Sequence, residues 1–233
     1  MGFPRQYSVF QENRSWELSR QNLNSNDFLA MLAHVARRVN EQKERLSSLD
    51  AAIGDGDHGF NLAQGFGAVL EKLPLWKDLD PGAILKNTGR ELMRAMGGAG
   101  GAVFGALFSG QGVHYSKSLS GRNELSAVHI AEMLRSAVQR IQSLGSAESG
   151  DKTMIDALVP AVDAMSDTAD KGLATAMREA SGAAEEGAEN TRIMTGIRGR
   201  AKNLGDRSKG HVDPGAVSTA VIFSAMAEFV ESD

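Results

Sequence analysis

Apolar residues recur at spacings of three and four along almost the whole chain, which is poor in alternating β-branched runs. That rhythm gives a buried face to helices and to little else. Ser25 is a plausible cap for a first helix carrying Phe28, Leu32, Val35 and Val39. Leu62, Phe66, Val69 and Leu73 mark a second. Asp80-Pro81 places a cap and an N1 proline before a third, with Ile84, Leu85, Thr88, Leu92 and Met96. A fourth is expected over 102–116. Ser126 opens a fifth, with Ala127, Ala131, Leu134, Val138 and Ile141. Ile155, Leu158, Val162 and Met165 form a sixth, which Pro160 should bend. An Ala-rich seventh covers 172–195, and Pro214 starts an eighth through Val217, Val221, Ser224 and Phe229.

Glycine-rich polar loops at 54–59, 97–101, 145–153 and 196–215 follow the first, third, fifth and seventh of these helices. In an up-and-down arrangement successive helices reverse, so every second loop lies at one end. All four loops are therefore expected on one rim. The other connections, near 74–80, 117–125 and 167–171, carry less recognisable chemistry.

The first of these loops is the richest. Asp50 to Asn61 reads Asp-Ala-Ala-Ile-Gly-Asp-Gly-Asp-His-Gly-Phe-Asn. Asp50, Asp55 and Asp57 offer only hard oxygen ligands, which suits Mg²⁺ beside phosphate. Three carboxylates in one turn repel each other unless a cation sits among them. Gly54, Gly56 and Gly59 can take positive φ and leave backbone N–H groups open. An EF-hand does not fit, because its bidentate Glu position falls on Phe66 or Ala68. Zinc does not fit either, with a lone His here and no Cys in the chain. The plain alternative is an acidic turn that caps the next helix.

The other loops have two readings each. Met96-Gly-Gly-Ala-Gly-Gly-Ala-Val-Phe-Gly105 is either a phosphate-binding helix start or a tight helix crossing. It lacks the Gly-Lys-Ser/Thr end of a P-loop. Gly150-Asp-Lys-Thr-Met154 is a cation, a hydroxyl and a carboxylate, or simply a helix cap by Asp151 or Thr153. Arg200 and Arg207 are available to neutralise phosphate, or are solvated surface arginines. Asp213-Pro214 is a cap and an N1 proline. His34, His114 and His129 lie within helical segments and are expected to be structural.

Composition removes several classes of function. At 233 residues the chain suits one domain, or two small ones. A net charge of −4 with no basic stripe argues against nucleic acid. No cysteine means no disulfide framework and no thiol chemistry, as a cytoplasmic location would allow. No apolar run approaches a membrane span, and Gln6 stands where myristoylation wants Ser or Thr. Residues 1–24 are polar and are expected to form a loosely ordered arm, ahead of a single helical domain over 25–233.

With the four loops in view, the chain resembles the nucleotide-binding L subunit of dihydroxyacetone kinase, the DhaL family. The matching pieces are Ile53-Gly-Asp-Gly-Asp-His-Gly-Phe-Asn61, Leu85-Lys-Asn-Thr-Gly89, Gly97-Gly98, Gly150-Asp-Lys-Thr-Met154 and Gly210-His-Val-Asp-Pro-Gly-Ala216. They run in the family's order over about residues 27–230, which is far more specific than any one glycine loop. The resemblance implies an all-α fold, a closed barrel of eight up-and-down antiparallel helices, with nucleotide capping one end. It implies two Mg²⁺ ions on Asp50, Asp55 and Asp57, bridging the phosphates of ADP or ATP. His58 and Asn61 match positions near the phosphates, and Gly97 and Gly98 match the phosphate-covering loop. Gly145 and Met154 match positions near adenine, and Asp213 belongs to a terminal motif also near the nucleotide. Arg200 matches an arginine facing the phosphates, the candidate catalytic residue. Ala99 and Gly100 stand where the family often has Ser or Thr, and Asn203 where it often has an aromatic.

The implied activity is phosphoryl transfer to dihydroxyacetone or a related ketose held on a separate K subunit. The phosphoryl donor is then either exchanging ATP, or a phosphohistidine protein of the phosphotransferase system acting on fixed ADP. The rival expectation is a Mg–ADP-dependent regulatory module that binds a partner without catalysis.

Overall fold

Helices and their caps account for nearly all of the regular structure. The structure, a computed structural model, describes residues 20–145 and 147–232. Its α-helices are α1 (Ser25–Ile53), α2 (His58–Lys72), α3 (Pro81–Met96), α4 (Gly98–His114), α5 (Ala127–Gly145), α6 (Ile155–Thr168), α7 (Leu173–Asn190) and α8 (Pro214–Glu231). Shorter 3-10 or π segments occupy Leu73–Trp76, Tyr115–Leu119, Ala169–Lys171, Thr191–Ile193 and Ala201–Ser208. Helical elements among the described residues thus outnumber the eight expected, because the connecting loops are themselves partly helical.

Each α-helix packs on the next in the chain, and α8 packs on α1 as well as on α7. Most of the periodic residues named from the sequence face inward, while Met96, Val221 and Ser224 are half-buried. Phe28, Val35, Leu62, Phe66, Leu85, Leu134, Leu158 and Phe229 are buried, and Phe104 and Phe223, which the periodicity did not single out, join them. Each such side chain contributes roughly 1.5–3 kcal/mol on burial. Phe66 of α2 meets Phe108 of α4 edge to face, with centroids 5.9 Å apart.

Several boundaries differ from expectation, each for a local reason. Asn24, not Ser25, caps α1: its side chain accepts from the N–H groups of Asn26 and Asp27, and Asp27 answers in a capping box. The fourth helix begins at Gly98 rather than at 102, so the glycine cluster is mostly helix. Gly97 alone joins α3 to α4, with φ +62°. The two helices then run back along a glycine seam. A Cβ at Gly89 would lie 2.4 Å from the Gly105 carbonyl, and one at Gly112 would lie 2.5 Å from the Gly82 carbonyl. The tight-crossing reading therefore holds for the inner glycines. Helix α6 runs on through Pro160, which leaves the Asp156 carbonyl without its intrahelical donor. The expected seventh helix over 172–195 stops at Asn190 and tightens into the 3-10 turn Thr191–Ile193.

Of the expected N-terminal arm, residues 1–19 lie outside the described residues. Leu23 is buried and pairs with Leu125 in an isolated antiparallel bridge. Arg20 donates its N–H to the Val230 carbonyl at 3.2 Å and stacks its guanidinium over Phe229.

Candidate functional site

The aspartate loop is organised by Asp50, which lies on the last turn of α1 and is buried. One of its carboxylate oxygens accepts the N–H groups of Gly56, Asp57 and His58 at 2.9, 3.1 and 3.2 Å. These donors open α2, so Asp50 supplies from α1 the cap that α2 lacks locally. Asp57, at the N-cap position itself, makes no capping hydrogen bond. The capping part of the plain alternative therefore holds, through Asp50 and not through Asp57. The carboxylates of Asp55 and Asp57 stay exposed beside that of Asp50, with one oxygen from each of the three within 4.8 Å of the others. Arg200 forms an ion pair with Asp55. Only one of the three loop glycines uses positive φ: Gly56 at +79°. Gly54 is extended at φ −141°, and Gly59 belongs to α2, where a Cβ would collide with the Lys43 carbonyl.

His58 and Asn61 share one face of the first turn of α2, three residues apart. The His58 imidazole bonds to the Ser218 hydroxyl of α8 at 2.9 Å. Burial pushes its pKa below the ordinary histidine value, against an opposing pull from Asp50 and Asp57. Its ring centroid is 6.4 Å from that of Phe104, which connects the aspartate loop to α4. At the start of α4, Gly97 and Gly98 have φ of +62° and +57° and no atom within 4 Å of an added Cβ. The Gly97 N–H closes α3 on the Met93 carbonyl at 3.3 Å, while the Gly98 N–H lies at the opening of a 17-residue helix, where the macrodipole favours an anion.

The loops at 147–154 and 191–213 are bound to each other. Asp151 accepts from Glu148 N–H at 2.9 Å and from Arg198 Nε at 3.3 Å, and its carbonyl accepts Ile197 N–H. Asp156 accepts from the N–H groups of Gly150 and Thr153, so it organises the start of α6. Asp151 does not. Thr153 contributes one bond, to Ile155 N–H. Lys152 is only 1 % exposed and donates from Nζ to the carbonyls of Thr191 and His211. Burial lowers its pKa, partly offset by Asp213. Met154 is buried against Gly215 at the start of α8.

The structure thus joins Asp50, Asp55, Asp57, His58 and Arg200 by direct contacts. It places Met154 and Asp213 in the adjoining loops. Gly97 and Gly98 are linked to them through α2 and α4. Gly145 ends α5, next to residue 146, which is outside the described residues. Arg207 lies in the 3-10 segment Ala201–Ser208. His34 pairs with Glu228, and His129 with Ser126. A groove of about 380 Å³ lined by Arg38, Arg45, Arg192 and Val217 lies between α1, α7 and α8, and none of the aspartates lines it. Nothing local reveals the contacts of Lys152, because its partners are 39 and 59 residues away.

Asp213 caps α8 by accepting Ala216 N–H at 2.7 Å, with Pro214 at N1, as the sequence indicated. Burial pushes its carboxyl up to about 7, with Asp156 and Asp50 adding to the rise and Lys152 opposing it. A carboxyl whose folded pKa lies above its unfolded value stabilises the fold at low pH. That stability is lost as pH rises from about 4 towards 7. Asp213→Asn keeps the cap and removes the titration. Urea melts at pH 5 and pH 8 should show wild-type stability falling by about 3 kcal/mol, and the variant changing much less. Equal pH slopes in both proteins would remove Asp213 as the cause.

Comparison with known proteins places this geometry among relatives. The DAK2 domain family matches residues 52–228. The ADP-binding subunit DhaL of the PEP-dependent dihydroxyacetone kinase of Escherichia coli (strain K12) is 40 % identical over 188 residues, covering 80 % of this chain and 88 % of that one. The corresponding DhaL subunit of PEP-dependent dihydroxyacetone kinase 1 of Listeria innocua serovar 6a is 33 % identical over 202 residues, covering 86 % and 94 %. Among solved structures, the dihydroxyacetone kinase from C. freundii in complex with AMP-PNP and Mg²⁺ superposes with a TM-score of 0.68 at 27 % identity. That match covers 97 % of this chain and 38 % of the longer one.

Proposed function

The chain belongs to the DAK2 domain family, and from that premise we propose that it is the nucleotide-binding, phosphoryl-transferring subunit of a kinase for dihydroxyacetone or a related small ketose. The observation that carries the reading is the trio of oxygen ligands on Asp50, Asp55 and Asp57, within 4.8 Å of one another and faced by Arg200. The helix ring closed by α8 on α1 supports reading the body as an up-and-down barrel with this trio at one end.

The donor set fits Mg²⁺: all oxygen, one buried carboxylate fixed by three N–H groups, and two exposed ones. Two ions held there would neutralise charge on the nucleotide phosphates. The chain's own residues do the rest. Gly97 and Gly98 leave the surface over the start of α4 open; the Gly97 N–H is held by the Met93 carbonyl at 3.3 Å, so the N–H groups offered to phosphate oxygens are those of the first turn, from Gly98 on. Ala99 and Gly100 add no hydroxyl, so backbone alone serves this contact. His58 and Asn61 line the turn beside the aspartates, and Gly145, Met154 and Asp213 border the nucleotide. Arg200 carries a permanent positive charge to the phosphates and stabilises the extra charge of the transition state. Catalysis is then mainly positioning of an in-line transfer. The ketose is held on a separate K subunit, and the donor is ATP or, with fixed ADP, a phosphohistidine protein.

The test is nucleotide content and exchange on the purified chain, followed by reconstitution. Gel-filtered protein prepared with Mg²⁺ should release ADP on denaturation, or bind MgATP reversibly, and should phosphorylate no ketose alone. Tightly held, slowly exchanging ADP selects the phosphohistidine donor, and reversible MgATP selects the ATP mode. A K-type partner should restore ketose phosphorylation. A chain that binds neither nucleotide sinks the reading.

A further inference from the structure

Residues 192–210 leave the body and return to it at almost the same place, as an Ω-loop does. Gly210 donates its N–H to the Arg192 carbonyl at 2.8 Å, and Arg192 Nη1 donates to the Gly210 carbonyl at 3.0 Å. Just inside this pinch, Asp213 N–H reaches the Thr191 hydroxyl at 2.7 Å. Lys152 enters between the two limbs from another loop, and its Nζ bonds both the Thr191 and the His211 carbonyls. Lys152 is the one non-glycine residue with positive φ among the described residues, at +61°. Such strain persists only where its surroundings fix it. The turn sends the Lys152 side chain inward while Asp151, its neighbour, holds Ile197 and Arg198 further along the same loop. The loop carries Arg200, whose guanidinium meets Asp55.

We propose that Lys152 is a positioning residue for phosphoryl transfer: its buried ammonium closes the base of the 192–210 loop and so holds Arg200 at the aspartate cluster. The role of Arg200 rests on the function proposed above, whereas closure of the loop does not. An ammonium donating to two carbonyls is a charge-assisted contact, and losing it should open the loop at least about tenfold more often.

Lys152→Gly tests this in the full chain, since glycine accepts the positive φ and removes the ammonium. The variant should keep its helical far-UV circular dichroism. Tryptic cleavage after Arg200 and Lys202 should accelerate at least about tenfold, and labelled ADP should leave faster. Ethylamine or propylamine, filling the vacated space, should restore slow cleavage, and propanol should not. Unchanged cleavage, or rescue by propanol as well as by the amine, overturns the proposal. Arg200→Gln separates the two layers: it should reduce turnover with the K-type partner while cleavage at Lys202 stays slow. Full turnover in that variant overturns the role of Arg200, while the cleavage data still decide the closure. If Lys152→Gly does not fold, the wild-type chain decides. Side chains of Arg192, Arg200 and Lys209 are 46 %, 56 % and 54 % exposed, so cleavage order reports loop release rather than access. Closure predicts cuts at Arg200 and Lys202 before Arg192 and Lys209, and the reverse order overturns it.

Discussion

Asp57→Ala is expected to cut ketose phosphorylation with the K-type partner by about 10²–10³-fold, the range seen when one preorganised electrostatic contact is removed from an active site. The fold should not suffer. Asp57 makes no capping bond, and its carboxylate stands beside two others, so the metal-free protein should be as stable as wild type or slightly more so. Turnover and a thermal melt in chelator measure the two halves of this expectation. Loss of turnover at unchanged stability assigns the cluster to chemistry. Full turnover would show that the trio is not the metal site. If the wild type itself shows no turnover and Asp57→Ala alters only nucleotide-dependent partner binding, the chain is a regulatory module. Asp50→Ala is not an equivalent probe, because it also strips three N–H groups of their acceptor.

Gly59→Ala should destabilise the protein by about 3 kcal/mol, at the upper end of what overpacking costs. A Cβ there would lie 1.9 Å from the Lys43 carbonyl oxygen and 2.8 Å from Ser47 N, both backbone atoms of α1 that cannot turn aside. The loss corresponds to a drop in melting temperature on the order of 10 °C for a chain of this size. Gly67→Ala, on the same helix with nothing within 4 Å, is the control. It should be neutral or gain up to about 1 kcal/mol from helix propensity. Similar losses at both positions would mean that α1 and α2 do not cross as closely as described.

The contrast between those glycines shows what a sequence carries. Periodic apolar positions such as Leu62, Phe66 and Val69 were legible because a helix repeats its environment every turn. Asp80 and Asp213 were legible as caps because cap, proline and helix start are neighbours in the chain. Gly59 read as loop flexibility, since nothing local reveals the Lys43 carbonyl sixteen residues earlier. The start of α4 read as loop because glycine is a poor helix former, and the α3 seam that rewards it is a tertiary fact. The gathering of three aspartates at one turn was legible. That Asp50 is the scaffold and the other two the exposed partners was not, because that division follows from how α1 ends against α2.

The pairing of Arg20 with Val230 brings the place where the chain enters the helical body to within one hydrogen bond of where it leaves. Helix α1, 29 residues and therefore about 43 Å long, separates that point from the aspartate loop. A body with adjacent ends on the side away from its aspartate loop can be linked in tandem to another domain through either end, or cyclised and reopened at 120–124, with the aspartate rim left uncovered.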